Sequence, residues 1–115
     1  MDSTPAFLQG MFSFEGKGFD TPEPLDGASY TVPGTKRAQL IYFRAGHSAD
    51  DLISLVLVRD GKPMRFFPLG AKDAMHVPLM VVEDLAPESR LELQIAAPKG
   101  ASGTVVVDLG FMEIA

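Results

Sequence analysis

The sequence contains no cysteine, no tryptophan and no asparagine, and it has only two histidines. The absence of cysteine excludes disulfides, thiolate metal sites, iron–sulfur ligation and cysteine nucleophiles. Two histidines are too few for a histidine-rich metal site, so we expect no metal and no cofactor. The lack of asparagine removes every acceptor for N-glycosylation.

Long apolar runs are also missing. No stretch approaches the roughly 18 apolar residues that a membrane-spanning helix needs. The first residues lack the basic region and the apolar run of a secretory signal, so we expect a cytoplasmic protein with no membrane contact. The 115 residues, 46% hydrophobic and 22% charged, fit one globular domain over residues 1–115.

The net charge is −5 and the isoelectric point is near 4.8, which argues against a nucleic-acid binder. The charge is unevenly distributed, because residues 36–72 carry seven basic and three acidic side chains. Two interpretations are open. Bases and acids meet across the folded surface, or the central segment forms a basic patch for an acidic partner or a small anion.

Glycine and proline clusters divide the chain into short runs rich in β-branched and aromatic residues. This pattern predicts an all-β fold, an antiparallel β-sandwich of about eight strands, either jelly-roll or immunoglobulin-like. Alternation predicts strands at 90–97 and 104–114, although Val106 and Met112 interrupt the polar face of the second, and we expect the two to pair through the loop at 98–103. The apolar run 51–60 and the Asp60-Gly61 turn predict a hairpin over residues 51–68.

Further strands are expected at 7–15, 28–32, 39–45 and 75–83. Pro78 has no N–H for a ladder and places the last of these at an edge or a bulge. Residues 17–27 read as an irregular loop, and residues 83–89 as a corner between two sheets.

The loop at residues 44–51 gathers a base, an imidazole, a hydroxyl and two carboxylates. Either it is a plain loop in which Asp50 forms a turn, or His47 contacts a ligand. A hydrolase centred on His47, Ser48 and Asp50 is the third and weakest function considered, because adjacent loop residues rarely converge as a triad.

Four bases form the main candidate for ligand or partner binding, together with His47: Arg44, Arg65, Lys72 and His76. Arginine beside an aromatic ring can clamp a carboxylate, a phosphate or a sugar acid. The alternative is that each base pairs with an acid from residues 83–92. Alternation places His76 on the face opposite the core.

The chain has more apolar residues than one small interior uses, and the hairpin is apolar on both faces. We therefore expect a homo-oligomer whose interface includes four hairpin residues: Leu55, Leu57, Phe66 and Phe67.

Five segments carry a family resemblance: YFRAGHS (42–48), RDGKPMRFFP (59–68), GAK (70–72), HVPL (76–79) and GTVVVD (103–108). Over most of residues 30–115 the chain resembles small bacterial single-domain proteins that often carry the label "molybdopterin oxidoreductase". The chain is far smaller than such an enzyme, so no catalytic residue is carried over. The resemblance implies an accessory or gene-neighbour relationship to a molybdopterin or nitrate-assimilation enzyme.

The two-sheet outline is also similar in shape to carbohydrate-binding modules, although these rely on exposed Trp or Tyr platforms, and this chain offers only Tyr30 and Tyr42. From the sequence we expect a non-catalytic binding or assembly module in which Arg44, Arg65 and Lys72 attract an acidic partner or small anion. The alternative function is an accessory subunit of a larger oxidoreductase.

Overall fold

The computed structural model describes residues 2–115, and its elements are all strands. Their bounds are β1 (Ser3–Glu15), β2 (Gly18–Thr31), β3 (Arg37–His47), β4 (Ile53–Arg59), β5 (Lys62–Leu69), β6 (Ala74–Pro78), β7 (Asp84–Leu85), β8 (Arg90–Ala97) and β9 (Ser102–Ile114). Within the described residues no helix is long and apolar enough to cross a membrane. Residues 2–115 form nine strands, one more than expected: β6 covers only the first part of the run at 75–83, and the short β7 lies in the predicted corner at 83–89.

The strands form two antiparallel sheets that pack as a sandwich, which confirms the predicted fold class. Sheet I has the order β1-β9-β3-β6, with β7 also paired to β3, and sheet II has the order β2-β8-β4-β5. Most consecutive strands lie in different sheets, and only β4 and β5 are hydrogen-bonded neighbours in sequence. This is the jelly-roll arrangement and not the immunoglobulin-like one.

The core lies between the two sheets and is built from the inward side of each alternating strand. The rings of Phe43 and Phe67 stack across it, with centroids 3.7 Å apart. Strand β4 is central in sheet II and is buried on both faces, since Val56 and Val58 are each only 3% exposed although they lie outside the core cluster. Both faces of β4 are therefore covered within this chain.

The hairpin at 51–68 is confirmed, with Arg59 opposite Lys62 across a two-residue turn. The expected pairing of 90–97 with 104–114 is wrong, because β8 lies in sheet II and β9 in sheet I. The connection turns through a backbone bond from Ala101 N–H to Pro98 O and crosses the sandwich. Both strands alternate as predicted. Two strands joined by a short loop alternate in the same way whether they pair in one sheet or lie in opposite sheets, so alternation does not predict their pairing.

Residues 17–27 are not a loop, which corrects a second prediction. They form much of β2, an edge strand of sheet II whose pairing with β8 is interrupted by two irregularities. An edge strand with bulges tolerates Pro22 and Pro24, because there a missing N–H breaks no obligatory bond. Pro78 also lies on an edge strand, as predicted, and residues 83–89 do lead from sheet I to sheet II.

Candidate ligand-binding face

The outer face of sheet I carries a row of polar side chains at one level of the sheet. The strand register places Gln9 of β1 opposite Asp108 of β9, Asp108 opposite Arg44 of β3, and Arg44 opposite His76 of β6. Directly opposite residues in antiparallel strands hold their Cβ atoms about 5 Å apart. The four side chains therefore form a continuous row, which we call the polar row.

Asp108 is the centre of the polar row. Its Oδ1 atom accepts hydrogen bonds from Gln9 Nε2 and from the Tyr42 hydroxyl, each at 3.0 Å. Its Oδ2 atom lies 3.9 Å from Arg44 Nη1, outside hydrogen-bond distance. Partial desolvation, and then the bond to Asp108, raise the pKa of Tyr42 above its usual value, so Tyr42 stays a hydrogen-bond donor.

The Tyr42 ring lies against the sheet in the space that a neighbouring glycine leaves free. Gly110 lies opposite Tyr42 on β9, and a Cβ atom at Gly110 would overlap the Tyr42 ring. The ring also contacts His76 edge-on, with centroids 5.8 Å apart, and Arg44 lies 5.6 Å from its centroid. The missing side chain at position 110 therefore allows the Tyr42 hydroxyl to reach Asp108.

A groove of about 480 Å³ opens beside the polar row. Its floor is lined by small and apolar residues, including Gly46, Ala74 and Val106, and its rim by Arg44, His76 and Asp108. Gly46 and Ala74 are opposite each other in the register, so the groove exists because two adjacent strands lack large side chains at the same level. Its volume is in the range of small-molecule sites.

The structure brings two of the four predicted bases together, Arg44 and His76, and places the other two elsewhere. Arg65 lies on β5 of sheet II, where Nε contacts Glu83 Oε1 at 3.0 Å and Nη2 donates to Val81 O at 2.8 Å. Lys72 follows β5 and pairs with Asp50 at 3.0 Å. Arg65 therefore pairs with an acid from residues 83–92, as the alternative prediction states. Lys72 pairs instead with Asp50, an acid of the basic segment 36–72.

His47 does not offer a free ring nitrogen. It is 8% exposed, its Nδ1 accepts the Ala49 N–H at 3.2 Å, and its Nε2 lies 2.6 Å from Gly70 O. With these partners Nδ1 is the hydrogen-bond acceptor and Nε2 faces a backbone carbonyl, the position of a donor. His47 anchors two loops to each other, which corrects its prediction as a ligand contact.

The same bonds remove the geometric basis for a hydrolase at this loop. Ser48 Oγ accepts the Thr104 N–H at 2.9 Å, and Asp50 is held by Lys72 and not by His47. A triad needs a base that is free to take the hydroxyl proton and a third group that orients it. In residues 2–115 no group of three or more His, Asp or Glu side chains could hold a metal ion.

Three of the four predicted interface residues lie inside the protein. Leu55 and Leu57 are fully buried and Phe67 is 6% exposed, because they are on the inward face of their strands. Only Phe66, 64% exposed on the outer face of sheet II, is accessible to a partner. This burial corrects the interface prediction for those three residues, while the homo-oligomer itself stays a prediction.

Sequence reasoning missed Gln9, Asp108 and the floor of the groove. Alternation within 104–114 does place Asp108 on the outward face of the strand, while its chain neighbours Val107 and Leu109 point inward. Its neighbours, however, come from β1 and β3, which are distant in sequence, and no local pattern reports which strands are adjacent. The pairing of β9 with β1 and β3 is the information that assembles the site.

No protein-family model matches the chain, and no curated protein matches it. Among solved structures it is similar to the CBM36-1 domain of a multidomain xylanase from the hindgut metagenome of Trinervitermes trinervoides, with TM-score 0.58 and 14% identity over 95% of this chain and 96% of that one. It is also similar to a structure of infectious bursal disease virus, Gt strain, with TM-score 0.50 and 12% identity over 96% of this chain but 33% of that one. These likenesses show the β-sandwich fold.

The resemblance to the proteins labelled "molybdopterin oxidoreductase", the accessory role that it implies and the cytoplasmic location stay predictions.

Proposed function

We propose that this chain is a non-catalytic binding module that holds a saccharide on the outer face of sheet I. The observation that carries the proposal is the combination of the polar row with an apolar groove beside it. The loop around His47 offers no comparable site, because backbone groups occupy both ring nitrogens of His47.

The polar row suits hydroxyl groups. A sugar hydroxyl both donates and accepts a hydrogen bond, so it needs a donor and an acceptor side by side. Arg44 is an exposed donor and Asp108 Oδ2 is an acceptor without a hydrogen bond in the described chain, and the two atoms nearest each other are 3.9 Å apart. Two neighbouring hydroxyls of one sugar can therefore be matched by this pair.

The groove suits the ring of a sugar. A pyranose has apolar C–H faces, which pack against a small apolar surface such as the one around Gly46, Ala74 and Val106. Phe7 and Met11 extend the apolar surface beyond Val106 on the same face, since their side chains are 52% and 72% exposed. A longer saccharide can follow these side chains across the sheet.

The similarity to a CBM36 domain supports a binding role by analogy of fold. The absence of tryptophan still argues against a stacking platform. In this proposal the specificity comes from hydrogen bonds to the polar row, and a small floor replaces the aromatic platform. We accordingly expect weak binding.

The test is calorimetric titration with a panel of neutral and acidic oligosaccharide trimers. Ala74→Leu fills the groove from an exposed edge strand, and Arg44→Ala removes the donor. Each variant should weaken binding at least about tenfold, equal to ~1.4 kcal/mol.

Arg90→Ala is the matched control, since Arg90 is a comparably exposed arginine on sheet II, paired with Glu92. Its binding should equal that of the parent protein. The proposal is wrong if no trimer binds at millimolar concentration, or if Ala74→Leu and Arg44→Ala bind as the parent does.

A further inference from the structure

We infer that the saccharide carries a carboxylate, so that the ligand is a uronate whose acid group is held by Arg44 and His76. This inference rests on the proposed function and names the class of sugar within it. Three observations carry it: Arg44 makes no hydrogen bond to its acidic neighbour Asp108, His76 lies beside Arg44, and the position on the His76 side is separated from Asp108 by the guanidinium.

Arg44 is the least engaged of the arginines that have an acidic neighbour. The other three make short contacts with their partners: Arg37 to Asp84 at 2.7 Å, Arg65 to Glu83 at 3.0 Å and Arg90 to Glu92 at 3.3 Å. Arg44 lies 3.9 Å from Asp108, makes no hydrogen bond within residues 2–115, and its side chain is 57% exposed. Its planar fork of donors is therefore free for a bidentate partner, and a carboxylate has the matching geometry.

His76 supplies a second donor next to that fork. It is the register partner of Arg44, is exposed, and makes no hydrogen bond in the described chain. Its edge-on contact with Tyr42 fixes the ring near the groove rim. An imidazole N–H beside a guanidinium adds a donor to a bound carboxylate whether or not the ring is charged.

Asp108 does not block this position. The strand order of sheet I is β9-β3-β6, so Arg44 stands between Asp108 on one side and His76 on the other. A carboxylate bound on the His76 side is separated from Asp108 by the guanidinium. Asp108 is also engaged, because Gln9 and Tyr42 both donate to its Oδ1 atom.

The apolar floor distinguishes a sugar acid from a bare anion. Phosphate or acetate would use Arg44 and His76 but would leave Gly46, Ala74 and Val106 uncovered. A uronate places its acid group and its ring on one rigid frame, so both parts of the site are filled together.

The experiment compares trimers of galacturonate, glucuronate and mannuronate with their methyl esters, which keep the shape and lose the charge. Neutral trimers, sodium acetate and inorganic phosphate complete the series. At least one uronate trimer should bind about tenfold more tightly than its ester, because a charge-assisted bidentate contact is lost on esterification. Arg44→Gln should bind acid and ester equally, and His76→Gln should reduce the difference in part. Arg90→Gln, the control, should keep the full preference for the acid.

The outcomes separate the inference from the proposed function. If the esters or neutral trimers bind as tightly as the acids, the inference is overturned and the saccharide module stands. If no trimer binds, the proposed function fails as well. If acetate or phosphate binds as tightly as the trimers, the site recognises an anion alone, and both are overturned.

Discussion

At the scale of the residue, partners decide what a side chain does. His47 and His76 are the only histidines, and they differ completely in surroundings: the first has both ring nitrogens occupied by backbone groups, while the second is exposed beside Arg44. Alternation was enough to predict the outward position of His76. The burial of His47 could not be predicted, because it depends on Gly70, a loop residue 23 positions away.

A partly buried contact near one end of the sandwich also shows how its partners determine the state of a side chain. The Tyr30 hydroxyl donates to Glu113 Oε2 at 2.6 Å, Lys36 Nζ lies 3.5 Å from Glu113 Oε1, and the Tyr30 ring stacks on Phe111. Burial and the neighbouring Glu113 carboxylate raise the pKa of Tyr30 well above its usual 10.0. The protonated phenol is therefore the form that the folded state stabilises.

This contact predicts a loss of stability in alkaline solution. Above pH 10.0 the unfolded phenol ionises while the folded phenol keeps its proton, so the folded state binds more protons and the free energy of unfolding falls as pH rises. The Tyr42→Phe variant leaves Tyr30 as the only phenol, and its ultraviolet titration in the folded protein should start above pH 10.0. Ionisation at the ordinary value would contradict the buried contact.

At the scale of the element, local signals predicted strands well and their neighbours poorly. Strand 90–97 was predicted to the residue, and the edge position of Pro78 followed from its missing N–H. The pairing of β8 with β9 was wrong, since chain neighbours usually pair but in this jelly roll most of them lie in opposite sheets. The sequence of residues 17–27 predicts a loop, because a bulged edge strand and a loop share the same prolines and glycines.

The β4–β5 hairpin gives a direct test of turn chemistry. Asp60 and Gly61 both have positive φ, at 49° and 83°, as a two-residue hairpin turn of this hand requires. A Cβ at Gly61 meets nothing within 4 Å, so Gly61→Ala adds only backbone strain, about 1–2 kcal/mol.

Urea denaturation should show that loss for Gly61→Ala. Gly70→Ala is the control, because Gly70 does not have a positive φ and its added Cβ would make only ordinary contacts with Asp73. The control should unfold at the parental urea concentration or slightly above it. Equal losses in the two variants would argue against a φ-restricted turn at Gly61.

At the scale of the whole molecule, the fold gives most of the basic side chains of residues 36–72 an acidic partner and buries much of the apolar content. Five of the seven bases at 36–72 pair with acids, four of them with partners outside that segment: Lys36, Arg37, Arg44 and Arg65, with Lys72 the fifth. Much of the apolar content fills one core, with Val56 and Val58 also buried on the outer side of sheet II. Neither result was available locally, because both depend on which strands become neighbours.

A map of amide chemical shifts of the whole protein, recorded during titration with the trimer that binds most tightly in the panel, locates the binding site. We predict that the shifted amides cluster on the outer face of sheet I, around Arg44, Gly46, Ala74, His76 and Val106, and that sheet II is unaffected. Shifts centred on Phe66 and the outer face of sheet II, or no shifts with any trimer, would show that sheet I does not carry the binding site.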